Sequence, residues 1–228
     1  SACEVLNDAS LTTYFTFNTG LELIDSGPNN LPTRTQSTST NPNGRFSQGR
    51  TFSNSLSSYF QISGLTALGI SNQSFSISFW IRPQSLTGVL VHVSSDSFGT
   101  GWCLPFIGFA TNGSLVAQIK NNFNTISVFG PILSISTSTW FHVVQTWSST
   151  NGLRLYLDNI LVASNTNQAT AYSASELSNY VTLGNVLNGT SCSQGVISTL
   201  TPYNGDIDDF RIYNRELTSD DICTLYVA

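Results

Sequence analysis

The chain has 228 residues, only 9% of them charged, and a formal net charge of −5, whereas about 25% charged residues is usual for a soluble domain. Nucleic-acid binding is not expected, because phosphate contacts need clustered basic residues and Lys120 is the only lysine. No apolar segment approaches the roughly 20 residues of a membrane-spanning helix, so membrane insertion is not expected either. The length predicts a single domain over residues 1–228.

Neutral polar side chains and short alternating segments dominate the sequence. It contains 34 Ser, 26 Thr and 21 Asn, which favours strands and turns over helices. The segment Phe75–Ile81 alternates apolar and polar side chains, as a half-buried strand does. Residues 25–45 are expected to form a long surface loop. Further strands are predicted at 14–18, 50–53, 58–63, 87–94, 104–110, 114–119, 125–129, 139–147, 153–157, 160–163, 180–184 and 205–213. So many short strands predict a β-sandwich or barrel.

Two local signals predict a hairpin and a short helix. Asp158-Asn159 separates two apolar segments, and both residue types tolerate the positive φ angles of a tight hairpin turn. Thr218 and Asp221 have capping-box spacing, with Asp in place of Glu or Gln, and Ile222 and Leu225 follow at helical spacing. We therefore expect one or two helical turns at the C-terminal end.

Cysteines and sequons point to an oxidising compartment. The cysteines are Cys3, Cys103, Cys192 and Cys223, and Asn-X-Ser/Thr sequons begin at Asn72, Asn112 and Asn188. Two disulfides are the simplest interpretation, and four buried thiols are the alternative. The sequence does not begin with Met, which would fit a segment from which a signal peptide was removed. We expect a secreted, extracellular glycoprotein.

Five motifs in order give the sequence a family resemblance. They are Tyr14–Asn18, Phe75–Pro83, Trp140–Val143, Leu153–Asn159 and Gly205–Leu217. In this order and spacing they resemble a laminin-G-like jelly roll of the concanavalin A-like lectin/glucanase superfamily. The resemblance covers about Tyr14 to Tyr226. It implies an all-β fold of two antiparallel sheets packed as a β-sandwich, to which the C-terminal signal adds a short helix.

The resemblance also implies which residues face inward and which cysteines pair. Phe75, Ile77, Phe79 and Ile81 would line one side of the interior, and Phe210 and Ile212 the other. First and last strands are neighbours in such jelly rolls, so Cys3 would bond to Cys223, leaving Cys103 with Cys192.

Calcium is the cofactor that the resemblance suggests. Members often hold calcium between the opening strand and the acidic strand near the C-terminus, and carboxylate and amide oxygens suit that ion. Alternation with Phe210 predicts that Asp208 points inward and Asp209 outward. Asn18 stands where the family has Asp, which weakens the site, and backbone amides or Arg211 and Arg215 are the alternative partners of the carboxylates. The candidate ligands are Asn18, Asp206, Asp208 and Asp209.

Catalysis is not expected. Related glucanases carry Glu-x-Asp-x-Glu on one strand, and that pattern is missing from this sequence. His92 and His142 are the only histidines, and each is interpreted as a hydrogen-bonded structural residue. No Gly-x-Ser-x-Gly elbow accompanies the many serines.

The sequence therefore predicts a non-enzymatic adhesion or recognition module for an extracellular glycan or protein. Trp102 and Tyr203 are the candidate ligand-binding aromatics, with packing of Trp102 beside the Cys103 disulfide as the alternative. A first alternative function is self-assembly into an extracellular fibre or matrix, because residues 51–81 and 121–153 contain no charged side chain. A glycoside hydrolase is the second alternative.

Overall fold

The structure, a computed structural model, describes residues 3, 6, 8–197 and 200–228. The strands are β1 (Leu11–Phe15), β2 (Thr33–Gln36), β3 (Thr38–Asn41), β4 (Gly49–Phe52), β5 (Tyr59–Leu65), β6 (Phe75–Pro83), β7 (Val89–Ser94), β8 (Cys103–Phe109), β9 (Ser114–Lys120), β10 (Thr125–Ile132), β11 (Phe141–Ser148), β12 (Gly152–Leu157), β13 (Ile160–Asn165), β14 (Asn179–Leu183) and β15 (Gly205–Tyr213). The α-helix is α1 (Ser219–Val227), and 3₁₀ turns span Asp8–Ser10, Ala67–Gly69 and Gly189–Ser191.

Two antiparallel sheets form a sandwich. Sheet I has the order β13-β12-β11-β6-β15-β4-β3, with β1 also paired to β15, and sheet II has the order β10-β9-β8-β7-β14-β5-β2. The prediction of an all-β, two-sheet antiparallel sandwich with a short C-terminal helix is confirmed. The helix in the described part of the chain has nine residues, and no described helix is both long and apolar enough to span a bilayer.

The interior follows the period-two pattern of the strands. Phe75, Ile77, Phe79 and Ile81 of β6 are fully buried in the main core, as predicted. Phe210 and Ile212 of β15 are buried in the same core, but β15 pairs with β6 in sheet I, so the expectation that they line the opposite side is wrong. Intervening residues of β6 therefore face away from sheet II, and this outer face of sheet I carries the candidate site.

A bulge in β15 reverses the predicted orientation of Asp208. The β15–β6 register shifts between Asp208 and Arg211, and Asp209 has a positive φ of 53°. Ile207 and Phe210 consequently both enter the core, while Asp208 lies opposite Trp80. The expectation that Asp208 shares the inward face of Phe210 is wrong, because one extra residue inverts strict alternation.

Residues 25–45 are not the uninterrupted surface loop that the composition predicts. They contain β2 and β3, short strands at the edges of the two sheets. Both strands consist of polar side chains, half of them exposed and half partly buried, so no apolar alternation marks them. Backbone pairing with β5 and β4 holds them in place.

The hairpin and helix signals are confirmed. Asp158 and Asn159 have φ angles of 49° and 65° at the β12–β13 turn. Thr218 and Asp221 form a reciprocal capping box. Helix α1 packs Ile222 and Leu225 against the outer face of sheet I, which brings the C-terminal residues beside β6.

Two disulfides tie the chain. Cys3 bonds to Cys223 of α1, and Cys103 of β8 bonds to Cys192. This is the pairing that the family resemblance implied. The first disulfide fastens α1 to the N-terminal segment and so helps to hold the helix on sheet I.

Candidate ligand-binding site

Trp80 is the centre of an aromatic cluster on the outer face of sheet I. It is only 3% exposed, because three rings cover it. Tyr226 of α1 stacks on it with ring centroids 5.7 Å apart, His142 of β11 lies at 4.9 Å, and the edge-on ring of Phe46 lies at 5.9 Å. Strand alternation, the turn between β3 and β4, and the docking of α1 jointly build the cluster.

Two guanidinium groups flank the cluster. Arg45 lies 4.4 Å over the Trp80 ring and 4.7 Å over the Phe46 ring. Arg82 lies 4.8 Å over the ring of Trp140. Cation–π contacts of this kind hold a guanidinium plane parallel to a ring while its N–H edge remains available for hydrogen bonds.

An open cavity of about 740 Å³ lies over these groups, and we refer to it as the aromatic cavity. Its walls come from β6, the β3–β4 turn, the segment before β11 and α1. The lining residues are Asn43, Gly44, Arg45, Trp80, Arg82, Thr137, Ser138, Thr139, Trp140 and Tyr226. Its volume falls within the roughly 300–1,000 Å³ of small-ligand sites. Aromatic faces, hydroxyls and two cations line it, without a carboxylate among them.

Beneath the cavity, His142 is a neutral structural residue. Its Nε2 lies 2.9 Å from the Ser78 hydroxyl. Burial, with smaller contributions from Arg211 and Arg45, lowers the pKa of His142 to about 3. Within the described residues, His142 Nδ1 and Trp80 Nε1 are buried without a hydrogen-bond partner. His92 is fully buried beside the Cys103–Cys192 disulfide, and burial lowers its pKa to about 4.

The predicted calcium ligand Asp206 is engaged by side chains of its own sheet. One carboxylate oxygen accepts from Arg82, with Nε at 3.0 Å and Nη2 at 2.9 Å. The other accepts from Asn41 at 2.8 Å and from the Thr51 hydroxyl at 2.5 Å. Asp206 therefore positions Arg82 at the aromatic cavity.

Asp208 and Asn18 instead hold the turn that carries Arg45. Asp208 accepts backbone N–H bonds from Phe46 at 2.9 Å and from Asp209 at 2.7 Å, and Asn18 Oδ1 accepts from the Gln48 N–H at 3.1 Å. Burial raises the pKa of Asp208 to about 7, although the backbone hydrogen bonds lower it. Through these hydrogen bonds, the side chains of Asp208 and Asn18 fix the backbone of the 42–48 turn.

The residues do not fit a calcium ion at this place. Arg82 forms an ion pair with Asp206, and Arg211 pairs with Asp209 at 3.3 Å. Backbone N–H groups donate hydrogen bonds to Asp208. Among the described residues, no three His, Cys, Asp or Glu side chains are grouped as metal ligands. Calcium binding, which the family resemblance suggested, stays an untested prediction.

The family of the chain follows from a sequence match that runs from the end of β4 into α1. Residues 52–223 match the Laminin_G_3 family model, which describes the concanavalin A-like lectin/glucanases superfamily. The chain belongs to this superfamily. A comparison with curated protein sequences finds no match.

Solved structures of the superfamily fold resemble the chain at low sequence identity. The binding domain of Paraclostridial Mosquitocidal Protein 1 gives a TM-score of 0.68 at 19% identity, over 95% of this chain and 52% of that one. The botulinum neurotoxin serotype G binding domain gives 0.64 at 18%, over 94% and 50%. Domain 4 of AbnA, a GH43 extracellular arabinanase from Geobacillus stearothermophilus, gives 0.60 at 19%, over 95% and 98%.

These likenesses show the fold, and they differ in extent. The chain spans about half the length of the two toxin binding domains, but nearly all of the arabinanase domain. The arabinanase domain was solved in complex with arabinotriose. The two toxin structures are binding domains, and the likeness to them shows the fold of the chain alone.

The two predicted ligand-binding aromatics lie elsewhere. Tyr203 is fully buried and its hydroxyl donates to the Asp206 carbonyl at 3.2 Å, so its proposed exposure is wrong. Trp102 packs edge-on against Phe106 and Tyr172 in the sandwich. Tyr203 thus lies in the main core and Trp102 packs against it, and neither is among the lining residues of the aromatic cavity.

All three sequon asparagines are exposed at the surface. Asn72 accepts a hydrogen bond from the Tyr172 N–H, and Asn112 from the Ser114 N–H, each at 3.0 Å. Asn188 precedes the 3₁₀ turn Gly189–Ser191. Their exposure is compatible with glycosylation, and the occupancy of the sequons stays a prediction.

The sequence did not identify Arg45, Trp140 and Tyr226 as site residues. They lie on three distant segments and meet only in the folded chain. The one local signal was Trp80, a large aromatic residue on the polar side of the Phe75–Ile81 alternation. Such a residue indicates that something covers the outer face or binds to it.

Proposed function

We propose that the protein is a non-enzymatic extracellular recognition module that binds glycans in the aromatic cavity. The observation that carries this proposal is the meeting of Trp80, Trp140 and Tyr226 with two guanidiniums on one open cavity. The apolar face of a sugar ring packs on aromatic side chains, while its hydroxyls need polar groups around the rim. Thr137 and Ser138 supply such groups.

The comparisons support this type of ligand. The arabinanase domain, which matches nearly end to end, was solved with an oligosaccharide, arabinotriose. Cell entry of botulinum neurotoxin type C depends on interaction with two ganglioside molecules, and the binding domain of botulinum neurotoxin DC was solved in complex with rat synaptotagmin II. The chain covers about half of those domains, so a protein partner is kept as the alternative type of ligand.

An extracellular location is supported by the covalent chemistry. Two disulfides persist most readily in oxidising compartments. The exposed sequons fit the same surroundings. Because the charged fraction is low, glycans at these sites would also help to keep the charge-poor strands apart.

Glycoside hydrolysis is not proposed, because the cavity lacks the needed acids. Most glycosidases place two carboxyl groups on either side of the bond that they cleave. The lining residues that the structure describes include no Asp or Glu. Asp206, which contacts the lining residue Arg82, is held in an ion pair and is 1% exposed.

Oligosaccharide titration tests the proposal. A panel that includes arabinotriose would be titrated into the protein while tryptophan fluorescence and heat are recorded. We expect Trp140→Ala to abolish binding and to leave the melting temperature nearly unchanged, because Trp140 is only partly buried. Phe123→Ala, which removes a ring that is 88% exposed on a different hairpin, is the matched control and should bind normally. Loss of binding in both variants, or in neither, would count against this site.

A second function, self-association, has a specific surface in its favour. Strands β10 and β13 are the terminal strands of the two sheets and lie against each other. Their large apolar side chains Phe129, Ile132, Ile160 and Leu161 are each at least 45% exposed. Unpaired strand edges without charges favour pairing with another copy. Sedimentation velocity across a dilution series tests this: association that Ile160→Lys abolishes would support a fibre or matrix subunit, and a dilution-stable monomer would not.

A further inference from the structure

The charged side chains that line the aromatic cavity are all positive among the residues that the structure describes. Arg45 and Arg82 line it, without Asp or Glu among the lining residues. These are two of only eight Lys and Arg in a chain whose net charge is −5. This local concentration of positive charge opposes the net negative charge of the protein, so it favours an anion at this site.

The two guanidiniums differ in whether their charge is already balanced. Arg82 forms an ion pair with the buried carboxylate of Asp206. Within the described part of the chain, the guanidinium of Arg45 has aromatic neighbours, Trp80 and Phe46, but no ion-pair partner among the carboxylates. Arg45 is therefore the cation of the cavity whose charge remains available to pair with an external anion.

The turn around Arg45 also holds this side chain ready for a ligand. Asp208 accepts the N–H of Phe46, Asn18 accepts the N–H of Gln48, and Gly44 donates to the Ser47 carbonyl at 3.1 Å. The guanidinium then stacks over two rings. Fixing an arginine before binding reduces the conformational entropy that a ligand must overcome, and its planar fork matches the two oxygens of an oxyanion.

We infer that the aromatic cavity selects acidic glycans, with the oxyanion of the sugar, a carboxylate or a sulfate, paired to Arg45 while the ring packs on Trp140. This inference rests on the proposed function. It adds the class of ligand and the residue that selects it. The partly exposed Trp140 ring and Arg45 line the same cavity, so one acidic sugar residue with its neighbour can engage both.

A matched pair of ligands isolates the charge. Trigalacturonic acid and its methyl ester have the same rings, and only the former carries carboxylates. A sulfated galacto-oligosaccharide and its unsulfated parent form the second pair. Each would be titrated by calorimetry into the wild-type protein and into Arg45→Gln, Arg45→Lys and Arg34→Gln. Arg34 is an exposed arginine on sheet II, so its variant removes the same charge away from the cavity.

We expect the wild type to bind at least one acidic ligand about tenfold more tightly than its uncharged partner, the scale of one charge-assisted hydrogen bond. Arg45→Gln should lose this preference, Arg45→Lys should keep part of it, and Arg34→Gln should keep all of it. The preference should also shrink as salt is added. The pair that shows it assigns carboxylate or sulfate as the oxyanion.

Failure of the inference is distinct from failure of the proposed function. If wild type binds acidic and uncharged partners equally, or Arg45→Gln and Arg45→Lys both retain the preference, acidic selection by Arg45 is overturned while glycan binding stands. If neither these ligands nor the neutral panel binds, both proposals fall. Melting temperatures of the variants verify that each protein is folded.

Discussion

The guanidinium of Arg82 lies within 3.0 Å of one carboxylate oxygen of Asp206 through both Nε and Nη2. The side chain of Asp206 is 1% exposed. The guanidinium of Arg82 also lies over the ring of Trp140. The ion pair thus connects the buried acidic strand to the candidate ligand site. Asp206, which the family resemblance suggested as a calcium ligand, instead positions Arg82 at the aromatic cavity.

Removing this acid should destabilise the protein strongly. Asp206→Ala leaves Arg82 without its partner in a nearly buried position, and breaking a buried pair costs about 3–5 kcal/mol. Denaturant unfolding measures the loss in free energy. The control is Glu216→Gln, because the Arg154–Glu216 pair is 3.6 Å long and more exposed, and such pairs contribute about 1 kcal/mol or less. Equal losses in the two variants would contradict a structural role for Asp206.

Calcium should leave the melting temperature unchanged. Binding would have to displace Arg82 from Asp206, or the Phe46 N–H from Asp208, before the ion found free oxygens. Thermal unfolding with added calcium and with chelator checks this expectation. A calcium-dependent rise that Asp208→Asn abolishes would show instead that the turn opens to admit the ion, as the family resemblance suggested.

The fold was predictable because its determinants are local and repeated. Strand β6 alternates from Phe75 to Ile81, and the same period recurs in enough segments to define two sheets. Strands β2 and β3 escaped prediction because their Thr, Ser and Asn side chains carry no apolar period, and only backbone pairing makes them strands.

The site was less predictable because it depends on long-range geometry. Arg45 and Tyr226 are far apart in sequence and meet through a turn and a docked helix. The bulge at Asp209 inverted the expected face of Asp208, and a single positive φ has no clear signature in an Asp-Asp pair. Tyr203 was misassigned because its surroundings resemble a loop, whereas its side chain completes the core.

The free energy of unfolding should decrease at acidic pH because of His142. Its pKa is about 3 in the folded protein and about 6.5 when unfolded. The unfolded chain therefore binds the proton first, so this contribution is full above pH 6.5 and is lost as the pH falls toward 3. By pH 5 the loss is about 2 kcal/mol, at 1.36 kcal/mol per pKa unit.

A comparison with His142→Gln isolates this term, because the other titrating groups are common to both proteins. The variant should lose less unfolding free energy between pH 7 and pH 5 than the wild type. Parallel pH profiles, or an imidazole resonance of His142 that titrates near pH 6.5 in the folded protein, would refute the assignment.

The Cys3–Cys223 disulfide should contribute both to stability and to the shape of the cavity. Its residues are 220 positions apart, and the loop-entropy relation gives about 5 kcal/mol for closing so long a loop. Cys3→Ser with Cys223→Ser should lower the unfolding free energy by that order. It should also loosen α1, so that Tyr226 leaves Trp80 and tryptophan emission shifts to the red. The control, Cys103→Ser with Cys192→Ser, removes the other bond, whose Cys103 lies on sheet II, and should destabilise without that shift. Both double variants carry Trp102→Phe, so that the emission does not report on the tryptophan beside Cys103. The same emission spectrum in both double variants would mean that packing of Ile222 and Leu225 alone holds α1 on sheet I.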